Sequence, residues 1–530
     1  MTTPDLRALL RSPEQVPSPT ATSAAGIPAT PTTTTATTAA VPTTGVPAAA
    51  TVPAEVPGAA SVPAEVPTEA PTVAPAPAEA PAAPAQTPTG TTSVPAAPPA
   101  DLSGLATTAP GVFSPEAARK DVPILHRTVN GHPLVWLDNG ATTQKPRQVI
   151  EAVSAYYSAA NSNIHRGAHT MAREATELYE AGRNAVAQFL GAPSPDTIMF
   201  VRGTTEAINL VAQSWGPAHL GPGDDILVPV LEHHSNIVPW QLITEETRAR
   251  VVPVPLTPDG EIDQAKYADL LSARTQMVVI SQASNVLGTV PPVREMTALA
   301  HRYGAKVLVD GAQAVAHMPV DVTELGADFY AFSGHKLFAP TGIGALYASP
   351  QAMAEMRPWQ GGGNMIESVS FERTTFAAMP HMMEAGTGHI SGVVGLLAAI
   401  DWLRGFDQNA VAAYEQELMA YAMQAMATVP GLEVIGSAAE RIAVLTFTMA
   451  GHDPASIADW LDRDGIAVRA GHHCAQPALA HYGLESAARA SFALYNTSAE
   501  VDQLVASLRR LGQSGQSGQR DQTGQGAPAQ

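Results

Sequence analysis

The stretch AFSGHKLFAPTGIGALY, Ala331 to Tyr347, decides how this chain is read. An apolar run ending at Phe332 breaks into Ser333-Gly334-His335-Lys336, and a glycine-rich turn then leads back to Ile343 and Leu346. A lysine at such a step can hold an aldehyde as a Schiff base, and Ser333 and His335 can donate to a phosphate. Alone, the tetrapeptide would be an ordinary solvated loop. The segments on either side give it its meaning.

Upstream, the run at 306–309 ends at Asp310 with Gln313 close behind, and the run at 277–281 is followed by Asn285. Residues 225–229 lead into Glu232-His233-His234-Ser235-Asn236, and 197–201 into Arg202-Gly203-Thr204-Thr205 at the start of a helical pattern over 207–214. Residues 134–137 read as a strand ending at Asp138, and 145–157 as a helix. Short apolar strands alternating with helices predict an α/β fold with a mostly parallel sheet and helices on both faces. Ligands of such sheets bind beyond the carboxyl ends of the strands, and the polar residues just named stand at those ends. From about Gly386 the pattern changes to longer helices over 393–403 and 412–427, then strands around Glu433 and over 442–448. The expected division is a large ligand-binding domain over 113–385, its first residues packing with the small domain, and a smaller α+β domain over 386–511. A flexible Gly/Gln/Ser tail is expected over 512–530.

Residues 1–112 contain no Phe, Tyr, Trp or Lys and are dominated by Ala, Pro, Thr and Val. Such a segment buries too little apolar surface to offset the entropy of ordering it, which predicts a disordered extension. The formal net charge of -19 argues against a nucleic-acid surface, and no run is long enough to span a bilayer, so the expected location is cytoplasmic. Cys474 is the only cysteine in the 530 residues, which excludes intrachain disulfides and cysteine-cluster zinc; no metal is expected.

The strand-end residues match the needs of pyridoxal 5'-phosphate one by one. Lys336 supplies the amine. Thr204 and Thr205 open a helix after a glycine, where free N–H groups and the positive dipole end favour a phosphate, with Ser333 and His335 adding donors. Asp310 can keep the pyridine nitrogen protonated, His233 can stack on the ring, and Gln313 can reach its phenolic oxygen. Cys474 stands in Arg469-Ala470-Gly471-His472-His473-Cys474, beside groups that could favour its thiolate.

The phrases LDNGATTQKP, NIHRGAHT, FVRGTTEAINLVAQSWG, LEHHSNIVPWQ, SNVLGT, VLVDGAQAV, DFYAFSGHKLFAPTGIGALY, GIAVRAGHHCAQP and RASFALYNT run through nearly the whole stretch from Phe113 to Leu511. In them the chain resembles the group II (Suf-type) cysteine desulfurases of the fold-type I pyridoxal phosphate superfamily. That resemblance implies a seven-stranded, mostly parallel sheet and a homodimer with Thr387 of one subunit touching the phosphate in the other. It implies that Asn285 and Arg489 bind the substrate carboxylate, that Arg469 lies near the sulfur-handling loop, and that His165 matches a position near the active site. It further implies that Lys336 serves as acid/base, with His233 beside it, and that Cys474 takes the sulfur of L-cysteine as a persulfide and passes it to an acceptor protein or thiol. The destination would be iron–sulfur cluster assembly or sulfur storage.

Ala470 and Gln476 stand where the family commonly has threonine and methionine, and Gly388-His389 where Pro-Asn is usual. The long extension resembles the cargo-loading segment of desulfurases packaged in encapsulin shells, and implies docking to a shell protein through residues 1–112. Two other readings use the same residues: a selenocysteine lyase or related pyridoxal phosphate enzyme, and a tethered cargo or sulfur-storage component with mainly an assembly role.

Overall fold

The computed structural model describes residues 113–523, with side-chain surroundings as far as Gln513. The extension expected to be disordered lies outside the described residues.

Seven strands form the central sheet: β1 (Ile198–Val201), β2 (Asp225–Pro229), β3 (Arg250–Val254), β4 (Thr275–Ser281), β5 (Lys306–Asp310), β6 (Phe329–Ser333) and β7 (Gly344–Ala348). Their order is β1-β7-β6-β5-β4-β2-β3. Only β7 runs against its neighbours, β1 and β6; every other pair is parallel. A parallel sheet is covered on both faces, so its strands must be apolar on both sides, and period-2 alternation sorts them into two cores. Leu227, Val278, Ile280, Val307 and Val309 enter one core, while Ile226, Val228, Met277, Val279 and Leu308 enter the other. The antiparallel strand β7 fits between β1 and β6 because Gly344 has no side chain. A Cβ there would lie 2.4 Å from Phe332 O and 2.8 Å from Gly203 Cα.

Five helices build the site and the packing around it: α1 (Thr170–Phe189), α2 (Thr204–His219), α3 (Ile390–Arg404), α4 (Gln408–Met426) and α5 (Ser498–Thr523). Thirteen of the fifteen residues of α3 are buried, so it must be surrounded by protein. It packs on α1 and on the helix Arg147–Ala155. Gly182 allows the close approach, since a Cβ there would meet Val393 Cγ1 at 2.3 Å. The change of pattern at Gly386 therefore precedes the change of packing partner, because α3 joins the core of the large sheet.

The second sheet comprises β8 (Leu432–Ile435), β9 (Val444–Met449), β10 (Arg469–Gly471) and β11 (Ala487–Ser491) in the antiparallel order β8-β9-β11-β10. Leu418 and Met426 of α4 and Val501, Leu504 and Leu508 of α5 pack on Leu445, Phe447 and Ala490. Strand Val135–Trp136, read in sequence as 134–137, pairs with Ile466–Ala467 on this side and takes no part in the seven-stranded sheet.

At the other end, α5 continues to Thr523. The stretch expected to be a flexible tail from residue 512 thus begins as helix. Propagation from a helix already anchored by Leu504 and Leu508 is far cheaper than nucleation. No helix among the described residues is long and apolar enough to cross a membrane.

Candidate active site

The carboxyl ends of β2, β4, β5 and β6, the start of α2 and the loop after β10 surround one cavity of about 200 Å³. Lys336, Cys474, His233, Thr204, Thr205, Asp310, Gln313, Ser333, His335, Asn285, Arg469 and Arg489 all line it. Side chains from Thr204 to Arg489 are brought together because most of them follow strands that end at the same edge. His165 and Thr387 are not among them. Thr387 borders a second cavity with Arg166 and Asn364, and His165 Nε2 lies 3.0 Å from Glu180 Oε1.

One end of the main cavity is built by the start of α2 and the end of β6. Thr204 donates its backbone N–H to Ser333 Oγ at 2.8 Å, and the two hydroxyls lie 2.9 Å apart. Gly203 precedes the helix with φ +157°, and a Cβ on it would come within 2.9 Å of Ser333 Oγ. Thr204 and Thr205, at the first turn of α2, line this part of the cavity, where the helix end favours an anion.

At the other end lies a buried carboxylate pair. Asp310 Oδ1 accepts from Ala312 N at 2.9 Å, and Oδ2 accepts from Asn236 Nδ2 at 3.0 Å. The same amide group donates to Glu232 Oε2 at 2.6 Å. Glu232 is fully buried, takes the Ser281 N–H at 2.8 Å and is bonded by the Ser281 hydroxyl. Burial raises the Asp310 carboxyl above its ordinary range, offset by the Ala312 N–H, Lys336 and Asn236. Burial pushes Glu232 up to about 7, against the hydrogen bonds of Ser281.

Lys336 is packed where desolvation lowers its amine to about 8, while Asp310 pulls it back up. His233 is lowered to about 3, by burial first and then by the positive charges of Lys336, His234 and Arg489. Its ring is neutral at physiological pH. Ser235 N–H donates to His233 Nδ1 at 3.1 Å, so the proton sits on Nε2. Gln313 gives Nε2 to Gly140 O at 2.8 Å, so one donor of the side chain expected to reach a phenolic oxygen is already used.

Arg489 is 2% exposed and donates to Asn285 O at 2.8 Å and to Asp138 Oδ1 at 3.0 Å. Arg469 Nε lies 3.3 Å from Asp138 Oδ2, so one carboxylate joins both arginines. Arg489 Nε is buried without a partner among the described residues. Asn285 Nδ2 donates to His473 O at 2.7 Å and thereby ties the cysteine loop to the wall.

That loop is tightly wound. His473 and Cys474 both have left-handed backbones, φ +52° and +54°, which non-glycine residues seldom adopt. His473 is buried, bonds Ala487 O through Nε2 at 2.9 Å and faces away from solvent; burial lowers it to about 3. His472 Nδ1 accepts the Cys474 N–H at 3.0 Å. A ring nitrogen of His472, one of His234 and the Cys474 thiol lie within 4.8 Å of one another, which is near metal-ligand spacing. However, His234 Nε2 accepts Gln476 N–H at 3.3 Å. With one nitrogen of each ring accepting a backbone N–H, the other nitrogen of each is the one available as a donor.

The residues fit pyridoxal phosphate: a helix N-terminus with hydroxyls beside it for the phosphate, a buried carboxylate for the ring nitrogen, a neutral flat imidazole and a lysine of lowered basicity. Residues 135–504 match the model of the aminotransferase class-V family. The chain belongs to that family. Within this family it is 52% identical over 404 residues to a probable cysteine desulfurase of Mycolicibacterium paratuberculosis, a match covering 76% of this chain and 59% of the relative. It is 49% identical over 400 residues to a cysteine desulfurase of Klebsiella pneumoniae, covering 75% of this chain and 98% of that one. A solved cysteine desulfurase of Escherichia coli, in its S-sulfonic acid form, superposes with a TM-score of 0.71 at 41% identity, covering 76% of this chain and 99% of the other. An apo cysteine desulfurase of Thermococcus onnurineus gives 0.72 at 33% identity, covering 76% and 98%. The fold-type I, class-V assignment and the seven-stranded sheet agree with the sequence reading.

Sequence reasoning did not single out Asp138, Glu232, Asn236, Ser281 or Lys145 for a role in the site. Glu232 and Asn236 lay within the EHHSN phrase that yielded His233, four residues apart, and that spacing was the available signal.

Proposed function

We propose that this class-V protein is a pyridoxal-phosphate-dependent cysteine desulfurase, converting L-cysteine to L-alanine and carrying the sulfur as a persulfide on Cys474. One observation carries the reading. The single cysteine of the chain lies on the wall of the cavity that holds Lys336, Asp310 and Arg489.

When bound, the cofactor draws electrons from the substrate Cα, and Asp310 would keep its ring nitrogen protonated. Thr204, Thr205, Ser333 and His335 would hold its phosphate, and His233 would lie on its ring. Arg489, with an unpartnered Nε, and Asn285 take the substrate carboxylate. Lys336, near 8, is neutral often enough at physiological pH to move the proton at Cα. The Cys474 thiolate attacks the substrate sulfur. An S–S bond forms, the Cβ–S bond breaks, and the electron pair left on carbon is protonated to complete alanine. Attack by an acceptor thiol then releases the sulfur and restores Cys474.

Thr387 and His165, absent from the lining of their own chain's main cavity, fit a homodimer in which each subunit completes the other's site. Residues 1–112 are assigned to docking on an encapsulin shell in the cytoplasm, a reading supported by their length and composition. Co-expression with a shell protein tests it; unchanged packaging after deletion of 1–112 refutes it.

Incubation of the purified protein with L-cysteine, with and without a thiol reductant, should yield alanine, and Lys336→Ala and Cys474→Ala should both lose it. Sustained sulfide release by Cys474→Ala would sink the assignment.

A further inference from the structure

Lys145 is a half-buried cation with no carboxylate within ion-pair distance among the described residues. Desolvation alone lowers it to about 8. An ammonium partly withdrawn from water without a carboxylate needs its donors used, so its three polar contacts need explaining. It donates to His335 O at 3.0 Å and to Thr143 O, and approaches Thr142 Oγ1 at 3.4 Å. All three belong to one junction, the place where the loop after Asp138 meets the peptide bearing Lys336.

The His335 carbonyl is offered four donors. Besides Lys145 Nζ these are Thr142 Oγ1 at 3.0 Å, Thr143 N at 3.1 Å and Thr143 Oγ1 at 3.2 Å. A carbonyl has two lone pairs, so the donors compete, and the charged one makes the strongest bond. Thr143 Oγ1 also accepts Phe338 N–H at 2.8 Å, so the chain is gripped on both sides of Lys336. The backbone explains how Lys145 gets there. A helix was expected over 145–157, but it begins at Arg147 with Pro146 as its cap. A residue preceding proline is driven out of the helical region, and Lys145 is thereby turned away from the helix and into the junction.

We propose that Lys145 is a positioning residue for Lys336: its ammonium fixes the His335 carbonyl and so sets the direction in which the Lys336 side chain enters the cavity. The proposal deepens the desulfurase reading by resting on Lys336 as the reacting amine.

The test uses the holoenzyme carrying Lys145→Met, which keeps the stem and removes the donors, and Lys145→Arg, which keeps a cation. Thr142→Val removes a single donor from the same carbonyl and covers the case in which Lys145→Met does not fold. Three quantities are read: the pH titration of the bound cofactor's absorbance, the rate of cofactor release on dialysis, and kcat and KM for alanine formation. Lys145→Met should shift the absorbance titration and lower kcat by about tenfold, with KM changed by less than about twofold, the pattern of lost alignment and not of lost binding. Lys145→Arg should recover most of the loss, and Thr142→Val should shift the titration in the same direction by less. An unshifted titration in both Lys145→Met and Thr142→Val overturns the proposal, as does Lys145→Arg behaving like Lys145→Met. The titration and release need no substrate. If they shift as expected while no form of the enzyme yields alanine, the desulfurase reading fails and the clamp stands.

Discussion

Ser333 Oγ accepts the backbone N–H of Thr204 at 2.8 Å, joining the end of β6 to the first turn of α2 across 129 residues of sequence. The two segments proposed to hold the phosphate are thus tied together by a hydroxyl that is itself one of the expected donors. Ser333→Ala should leave the Thr204 N–H buried and unpaired, destabilising the protein by about 1–3 kcal/mol. Loss of one phosphate donor as well should weaken cofactor retention by about tenfold, equivalent to ~1.4 kcal/mol. Equilibrium dialysis of the cofactor, alongside denaturant midpoints of the cofactor-free protein, separates the two effects.

Asp138 is the shared counter-ion of Arg489 and Arg469. Arg489 is almost wholly buried, and its other hydrogen bond goes to the Asn285 carbonyl. Removing the carboxylate leaves a charge stranded in a desolvated site. Asp138→Ala should cost about 3–5 kcal/mol of stability. The denaturation midpoint should partly recover when Arg489→Met is added, since the double variant no longer buries an unpaired ion.

Much of this arrangement was legible in the chain because strand ends are marked by an abrupt change from apolar to polar residues. Asp310 after KVLV and Lys336 after an apolar run declared both their elements and their ends, and the cavity follows from those ends lying at one edge. What was hidden depended on burial and on distance in sequence. Nothing in EHHSN says that Glu232 is fully buried, or that Asn236 stands between it and Asp310, since both are polar residues in a short loop. The direction of β7 was equally hidden, because an apolar GALYA segment reads the same whether parallel or antiparallel. The change of pattern at Gly386 carried no sign of where α3 packs, because α3 is apolar all round and could have belonged to either core.

In the proposed desulfurase Lys336 reacts as the neutral amine, and Asp310 raises its basicity against desolvation. Rebinding of pyridoxal phosphate to the cofactor-free protein should therefore accelerate as pH rises through about 8. Asp310→Asn removes the stabilising negative charge, so the Lys336 amine should lose its proton more readily and the midpoint should move to lower pH. Stopped-flow absorbance over a pH series tests both statements. A midpoint that stays in place or moves upward in Asp310→Asn would mean that the two groups are not coupled.

Glu232 gives a signature in stability. Its carboxyl is raised from an ordinary value of 4.5 to about 7, by burial first and with a contribution from Asp310. Between those two values the folded protein holds a proton that the unfolded chain has released. The contribution to stability is thus fully present below the unfolded pKa and is lost as pH rises through about 7. The window corresponds to about 3 kcal/mol at 1.36 kcal/mol per unit. Glu232→Gln cannot titrate, so the wild-type advantage over it should be greatest near pH 4.5 and should shrink by roughly that amount by about pH 8. Denaturant midpoints of both proteins across this range give the result, and a difference independent of pH would show that Glu232 stays ionised, held by the Ser281 and Asn236 donors that already surround it.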